Sequence, residues 1–265
     1  KSHAISRGGE DYLRNLRNFD EDIQIMWTGD AVVSKIDQSV IDYITDLIDR
    51  DVYIWWNYPV NDLGRAHLLH MGPTDALAPN IEHMSGLVSN PMNQAQCNKV
   101  SLFSIANYTW NSEKYDSQQS WQDSWQRIIT DDEEALEAFK IFVQNCAAAP
   151  MSFGEVDESV YLQPYFEAFN KKYYANEDFS QEALELINKF KEIKDSIVVL
   201  RNYEGTNNIT REMSQWMDVM YDIADAGDQT LTALLEAKPV SKDDSQSIED
   251  AMNLIQNGRA LLNKS

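Results

Sequence analysis

The 265-residue chain carries 43 acidic against 22 basic side chains, a formal net charge of -21, so it lacks the basic face that nucleic acid or an anionic membrane surface would need. It is 43% hydrophobic with 7 Trp, enough to bury the core of one large domain or two ordinary ones, and no apolar run approaches the roughly 20 residues of a membrane span. Its 2 cysteines, Cys97 and Cys146, are too few for a disulfide scaffold and have no zinc-ligand spacing around them, although a single bridge between them stays open.

The opening Lys-Ser-His-Ala-Ile-Ser-Arg-Gly-Gly9 has no hydrophobic signal-peptide core and reads as an entry into the middle of a longer chain. From there one unit repeats. Ile23 to Trp27 is a short apolar stretch ending in Thr28-Gly-Asp30, which predicts a first strand and its turn. Val40, Ile41, Ile44, Leu47 and Ile48 then follow helical spacing between Ser39 and Asp49. Val52 to Trp56 is an unbroken β-branched and aromatic run, which predicts a parallel strand buried on both faces. Pro59 and the short polar side chains of Asn57, Asn61 and Asp62 end it.

A long irregular stretch, Leu63 to Met84, precedes a third strand at Ser85 to Asn90. A short helix fits Gln94 to Asn98, and Val100 to Ala106 predicts a fourth strand ending at Asn107-Tyr-Thr-Trp-Asn111. Trp121, Trp125, Ile128 and Ile129 form the apolar face of a closing helix. Strand and helix alternate, with each polar cluster at a strand's carboxyl end, as in a parallel α/β sheet or barrel. Four such units make about half of a (β/α)8 TIM barrel.

Past Thr130 the composition shifts. Six of the seven Trp and all four His lie at or before it, and from Asp131 on there are 26 acidic against 12 basic residues. Thr130-Asp-Asp-Glu133 reads as a capping box opening the run of Leu136, Phe139, Ile141, Phe142 and Val143. Helices follow around Tyr161–Tyr173, from Ser180 to Asn202, from Thr210 to Ala237 and from Ser245 to Leu262, punctuated by Gly205 and Pro239. Leu184, Ile187, Phe190, Ile193 and Ile197 recur every three or four positions. The expectation is a barrel half over 1–130 and an all-α, up-and-down bundle of five helices over 131–265.

Asn and Asp after strands commonly make turns and caps and nothing more. Successive strand ends in Thr28, Asn57, Asp62, Asn90 and Asn107–Asn111, beside Trp or Tyr, point instead to carbohydrate. Amides and carboxylates match sugar hydroxyls, while aromatic faces cover the C–H side of the ring. Trp55, Trp56, Tyr58, Tyr108 and Trp110 offer such faces. His67 and His70 lack a third metal ligand, so they and His83 read as loop residues, and Met84 and Met92 as packing. No phosphate loop, nucleophile elbow or Cys–His pair is present. No carboxylate pair closes a strand in residues 1–130, since Glu10-Asp11 and Asp20-Glu-Asp22 precede the first strand. Glycoside hydrolysis needs two such groups. The rival to a piece of an enzyme is a noncatalytic carbohydrate- or protein-binding module whose bundle mediates association.

Met-Trp-Thr-Gly29, Trp-Trp-Asn-Tyr-Pro-Val-Asn-Asp62, Ser-Gly-Leu-Val-Ser-Asn-Pro-Met92 and Asn-Tyr-Thr-Trp-Asn111, in that order, resemble glycoside hydrolase family 84. That is the family of β-N-acetylglucosaminidases that includes protein O-GlcNAcases and bacterial enzymes labelled hyaluronidases. The resemblance covers the carboxyl half of the family's barrel, with its helical domain following. It implies a retaining, substrate-assisted mechanism acting on GlcNAc-bearing glycans or glycoproteins, with no cofactor and no metal, in a secreted or cell-surface bacterial protein. Carried over by position, Asp62 would accept from the 4- and 6-hydroxyls and Asn90 would bind a ring hydroxyl. Asn57 would lie near the acetamide, with Trp55 walling its pocket and Thr28 and Val32 at the edge. The catalytic Asp pair and a helping tyrosine would lie upstream of Lys1, in the other half of the barrel, leaving this chain inactive alone. Leu63 stands where relatives often carry Tyr, and His70-Met-Gly-Pro-Thr74 departs from the usual loop, which bears on aglycone contacts.

Overall fold

The structure, a computed structural model, describes residues 9–151, 156–205 and 208–237. The chain divides into two compact units, one of residues 1–160 with 203–213, the other of 161–202 with 214–265. In the first unit, α1 (Gly9–Asn15) leads to β1 (Met26–Trp27), α2 (Gln38–Ile48), β2 (Val52–Pro59) and β3 (Met84–Asn90). Three helices follow, α3 (Asn98–Trp110), α4 (Ser117–Ile128) and α5 (Glu133–Gln144). The strands form one parallel sheet in the order β1-β2-β3, with Met26 opposite Tyr53 and Trp55 opposite Val88.

Helix α2 forms as its spacing predicts. Asp37 caps it, accepting from the Val40 N–H at 3.1 Å, and Asp49 closes it in the left-handed region at φ 56°. Its buried stripe, Val40, Ile41, Ile44, Leu47 and Ile48, joins Val52, Ile54, Trp56 and Tyr58 of β2 in one core cluster. Alternate residues of β2 do the opposite. Tyr53 and Asn57 are only half-buried and Trp55 is 43% exposed. The strand is therefore covered on one face among the described residues, not on both as its composition suggests.

Strand β1 is shorter than the predicted Ile23–Trp27. The Arg50 guanidinium takes the carbonyl oxygens of Phe19 and Asp20 at 2.9 Å and of Ile23 at 3.1 Å, so the segment before Ile25 gives its acceptors to a side chain instead of a ladder.

The predicted fourth strand is a helix. Asn98, Val100, Ser101, Ser104, Ile105 and Tyr108 are the buried positions of α3, and from Val100 on they follow the stripe of a 3.6-residue period, while Leu102 is 38% exposed. Residues 95–97 form a turn before it, so the short helix drawn over Gln94–Asn98 is the approach to α3. At α5 the cap is Asp132, whose carboxylate accepts from the Ala135 N–H at 2.9 Å; the predicted Thr130 box starts two residues too early.

In the second unit α6 (Gln163–Ala175) precedes α7 (Ser180–Asn202), and α8 (Ile209–Glu236) has most of its length there. The buried face of α7 is Ala183, Leu186, Phe190, Ile193, Ser196, Ile197 and Leu200, and Leu184 points outward at 52% exposure. Lys194 binds Asp225 at 3.0 Å and Asp228 at 2.7 Å while Arg201, further along α7, binds the earlier Asp218 at 2.6 Å. Contacts in that reversed order make α7 and α8 antiparallel. The predicted Ser245–Leu262 helix and Pro239 lie outside the described residues.

Candidate functional site

Parallel strands deliver their carboxyl ends to one edge of the sheet. Here that edge carries Thr28 after β1, Asn57 in β2 and Asn90 at the end of β3. Asn57 joins them. Its Nδ2 donates to Thr28 Oγ1 at 2.9 Å and to the Val32 carbonyl at 2.8 Å, and its Oδ1 accepts from Trp55 Nε1 at 2.9 Å and Asn90 Nδ2 at 3.2 Å. Both donors and both acceptor directions of the carboxamide are used. The Val60 N–H donates to the Asn90 carbonyl at 2.8 Å, which ties the loop after β2 to the end of β3.

Beyond Val60 that loop turns at Asp62. The Arg65 N–H donates to the Asp62 carbonyl at 3.0 Å, and the turn between them puts Leu63 and Gly64 at φ 48° and 88°. Glycine takes that conformation without the Cβ clash that Leu63 must bear, and Leu63 stands outward at 77% exposure. Asn61 serves the scaffold, its Nδ2 donating to the Leu68 carbonyl at 2.9 Å.

Val32, Val33, Asn57, Val60, Asp62, Leu63, Arg65 and Asn90 line a recess of about 60 Å³. The structure thus brings Val32, Asn57, Asp62 and Asn90 to one place, with Thr28 and Trp55 attached through Asn57. A recess of that size holds a water or two and is well below the roughly 300 Å³ of a small-molecule pocket. A wider, open depression of about 350 Å³ lies near the opposite edge, where α2 ends and β2 begins; its lining is polar, from Asp42, Asp46, Asp49, Asp51, Thr45, Arg50 and His83. It has none of the apolar wall and converging amides of the smaller recess.

Arg65 is the charged lining residue that sequence reasoning missed, along with the apolar Val33 and Val60. It is 7% exposed, its Nη2 donates to the Val60 carbonyl at 2.6 Å, and burial pushes its pKa down against the attraction of Asp62. Arginine is rarely buried, so the sequence offers no signal beyond its position three after Asp62.

The aromatic candidates divide. Trp55 faces the open side of the sheet. Trp56 is core, donating to the Ser34 carbonyl at 3.2 Å, and Tyr58 is core, its hydroxyl 2.9 Å from Ser101 and its pKa pushed up to about 12 by burial. Tyr108 is buried with its hydroxyl on the Ala78 carbonyl at 2.9 Å, and Asn107 donates to Ser120 at 3.0 Å. Trp110 is 90% exposed. Ser101 in the first turn of α3 meets the carboxyl end of β2, and the nine residues from there to Trp110 rise about 13 Å along the helix. The Asn107–Asn111 cluster is therefore removed from the recess, because its segment is a returning helix and not a strand end.

His67, His70 and His83 are loop residues. His70 is buried, its Nδ1 3.3 Å from the Ala148 carbonyl, and burial lowers its pKa to about 4, so it is neutral at pH 7. Cys97 and Cys146 are free and buried, with both thiols pushed up by burial. Among the described residues there is no group of three or more His, Cys, Asp or Glu that could hold a metal ion, and no helix long and apolar enough to cross a membrane.

Known proteins resemble this chain in sequence and fold. Residues 161–265 match a family described as hyaluronidase post-catalytic domain-like. The fold is similar to CpGH84D (TM-score 0.77, 26% identity, 96% of this chain and 42% of that one). It is similar also to the Thermobaculum terrenum O-GlcNAc hydrolase (TM-score 0.77, 25% identity, 96% of this chain and 53% of that one). A third structure, CpGH84B, agrees at TM-score 0.79 and 25% identity over 93% of this chain and 43% of its own. The chain thus spans about half the length of the structures it matches. Residues 3–144, more than half of the chain, match the family model described as beta-N-acetylglucosaminidase, and the chain belongs to that family, glycoside hydrolase family 84.

Proposed function

We propose that residues 1–130 supply the carboxyl half of the (β/α)8 barrel of a retaining, substrate-assisted β-N-acetylglucosaminidase, and that a helical bundle follows it. The observation that carries this is the half-covered sheet. Strand β2 buries Val52, Ile54, Trp56 and Tyr58 against its helices and leaves Tyr53, Trp55 and Asn57 on the other side. Parallel sheets occur with both faces covered. A closed barrel turns that second face inward, and the 60 Å³ recess at its rim then becomes one wall of a larger pocket.

Each group in the wall has a task that its chemistry permits. The exposed Asp62 carboxylate accepts from the 4- and 6-hydroxyls of a terminal GlcNAc, and Asn90 keeps its Oδ1 and one N–H for a ring hydroxyl. Trp55 and Val32 give apolar cover to the acetamide. That acetamide oxygen attacks the anomeric carbon and expels the aglycone, forming an oxazoline, and water then reopens it with retention. An amide held by its neighbour on the ring gains the proximity that a protein nucleophile would need positioning to obtain. The Asp pair that polarises the acetamide and moves the proton is assigned to the segment upstream of Lys1.

Asp62→Ala in the enzyme carrying both barrel halves tests this reading. Loss of charged hydrogen bonds to two hydroxyls, about 1.5 kcal/mol each, lowers kcat/KM on an aryl β-GlcNAc about a hundredfold. Unchanged catalytic efficiency removes Asp62 from the site. Steady turnover by residues 1–265 alone contradicts the assignment of the acid upstream, and an upstream barrel half without an Asp pair favours the binding module.

A further inference from the structure

Cys97, at the cap position of α3, makes no side-chain cap bond, and the N–H groups of Asn98, Lys99 and Val100 turn back onto the carbonyls of Gln94, Gln96 and Cys97 at 3.0, 3.1 and 3.3 Å. The N–H groups of the turn before the helix take an acceptor from 116 residues away. Glu212 Oε2 takes the Gln96 N–H at 2.6 Å and the Cys97 N–H at 3.2 Å. Glu212 stands in the first turn of α8, in the 203–213 stretch that belongs to the first unit, between the fully buried Ile209 and Met213. A carboxylate there also meets the positive end of α3.

The next residue carries the restraint toward the sheet. Asn98, 4% exposed, exchanges two hydrogen bonds with Met92, its Nδ2 donating to the Met92 carbonyl at 2.8 Å and its Oδ1 accepting from the Met92 N–H at 2.9 Å. The thioether of Met92 accepts from the His70 N–H at 3.4 Å. Pro91, with its fixed φ, separates Met92 from Asn90. Asn90 then donates to Asn57 at 3.2 Å. A continuous line of short contacts runs from Glu212 to the recess.

We propose that Glu212 is a positioning residue for the sugar wall: by holding the turn of residues 95–97 it fixes Asn98 at the start of α3, which clamps Met92 and so sets where Asn90 stands. The claim rests on reading the recess as the GlcNAc wall. It makes the region matched as post-catalytic a working part of the site's scaffold, since Glu212 lies within residues 161–265.

Two readouts test it with Glu212→Ala and Glu212→Gln, the second keeping one oxygen acceptor. In residues 1–265 the side-chain amide resonances of Asn98 and Asn90 shift in the alanine variant and move back toward wild type with glutamine. In the enzyme with both barrel halves, Glu212→Ala raises KM for an aryl β-GlcNAc about tenfold, within the hundredfold that a misplacement of about 1 Å can cost, with kcat changed less than about twofold. Glutamine recovers most of that loss. Unmoved amides in a folded alanine variant, an unchanged KM, or a raised KM that glutamine leaves uncorrected each overturn the proposal. If the alanine variant does not fold, Glu212→Asp, whose carboxylate falls short of both N–H groups, replaces it with the same expected outcomes. A wild-type enzyme without turnover sinks the proposed function, and the amide shifts still report whether Glu212 governs Asn90.

Discussion

Removing the side chain of Asn57 should loosen all three strand ends at once. Asn57→Ala deletes four hydrogen bonds, those with Thr28, the Val32 carbonyl, Trp55 and Asn90. At a net of about 1 kcal/mol each, the upper bound is about 4 kcal/mol. Trp55 is 43% exposed, so water recovers part of it. The expected loss is about 2–3 kcal/mol, or about 5–10 °C in melting temperature for a chain of this size. Thermal and urea unfolding of residues 1–265 followed by circular dichroism measures it. Asn57→Asp sharpens the test, because a carboxylate still accepts from Trp55 and Asn90 but cannot donate to the Val32 carbonyl. With two donors kept and the Val32 carbonyl left unpaired, this variant should fall between wild type and Asn57→Ala in stability at pH 7. A loss below about 0.5 kcal/mol in Asn57→Ala would refute the hub.

Two further outcomes test the frame around the recess. Asp37→Ala costs about 1 kcal/mol through the lost cap of α2. Partial burial opposes ionisation of Asp37, yet bonds from Lys35, Ser39 and the Val40 N–H hold its carboxyl down to about 2. With the folded value below the unfolded one, that stability is present above pH ~4 and fades as pH falls through ~2, so wild type and variant converge in acid titrations of unfolding. Gly72→Ala costs about 1–3 kcal/mol, because an added Cβ would stand 2.8 Å from the Ala148 backbone, which is held where the Gly72 N–H donates to the Ala147 carbonyl at 2.9 Å. A variant as stable as wild type in urea would show that this backbone gives way.

What the sequence disclosed depended on whether the cause was local. Period-3.6 burial in α2 and the end of β2 at Pro59 are local, and both were readable. The meeting of Thr28, Asn57 and Asn90 followed from parallel strands ending at a common edge. Helix α3 was misread because Val100, Phe103 and Ile105 suit a strand by composition, while their order lacks the alternation a strand needs. Burial at 100, 101, 104, 105 and 108 includes two serines, and a reader who counts only apolar residues misses that stripe. Ser101 is buried because its hydroxyl donates to the His70 carbonyl at 2.6 Å, a partner thirty-one residues away. Arg65 and Glu212 were illegible for the same reason. Each is an ordinary charged residue until a distant segment of backbone meets it.

The saturation of Asn57 also divides the labour within the wall. An amide whose two donors and two acceptor directions are committed inside the protein has little left for a sugar, and any ligand that recruited it would have to break a bond to Thr28, Val32, Trp55 or Asn90. Asp62 is the opposite case, an exposed carboxylate at the turn beyond the strand, whose backbone is set by the Arg65 N–H. In the proposed function, recognition by Asp62 and Asn90 would break no hub contact, and Asn57 would contribute by holding its neighbours still before substrate arrives. Five residues apart in the sequence, the two residues look equally suited to bind a hydroxyl. Their hydrogen bonds differ: the Asn57 amide is committed to Thr28, Val32, Trp55 and Asn90, and the Asp62 carboxylate is exposed.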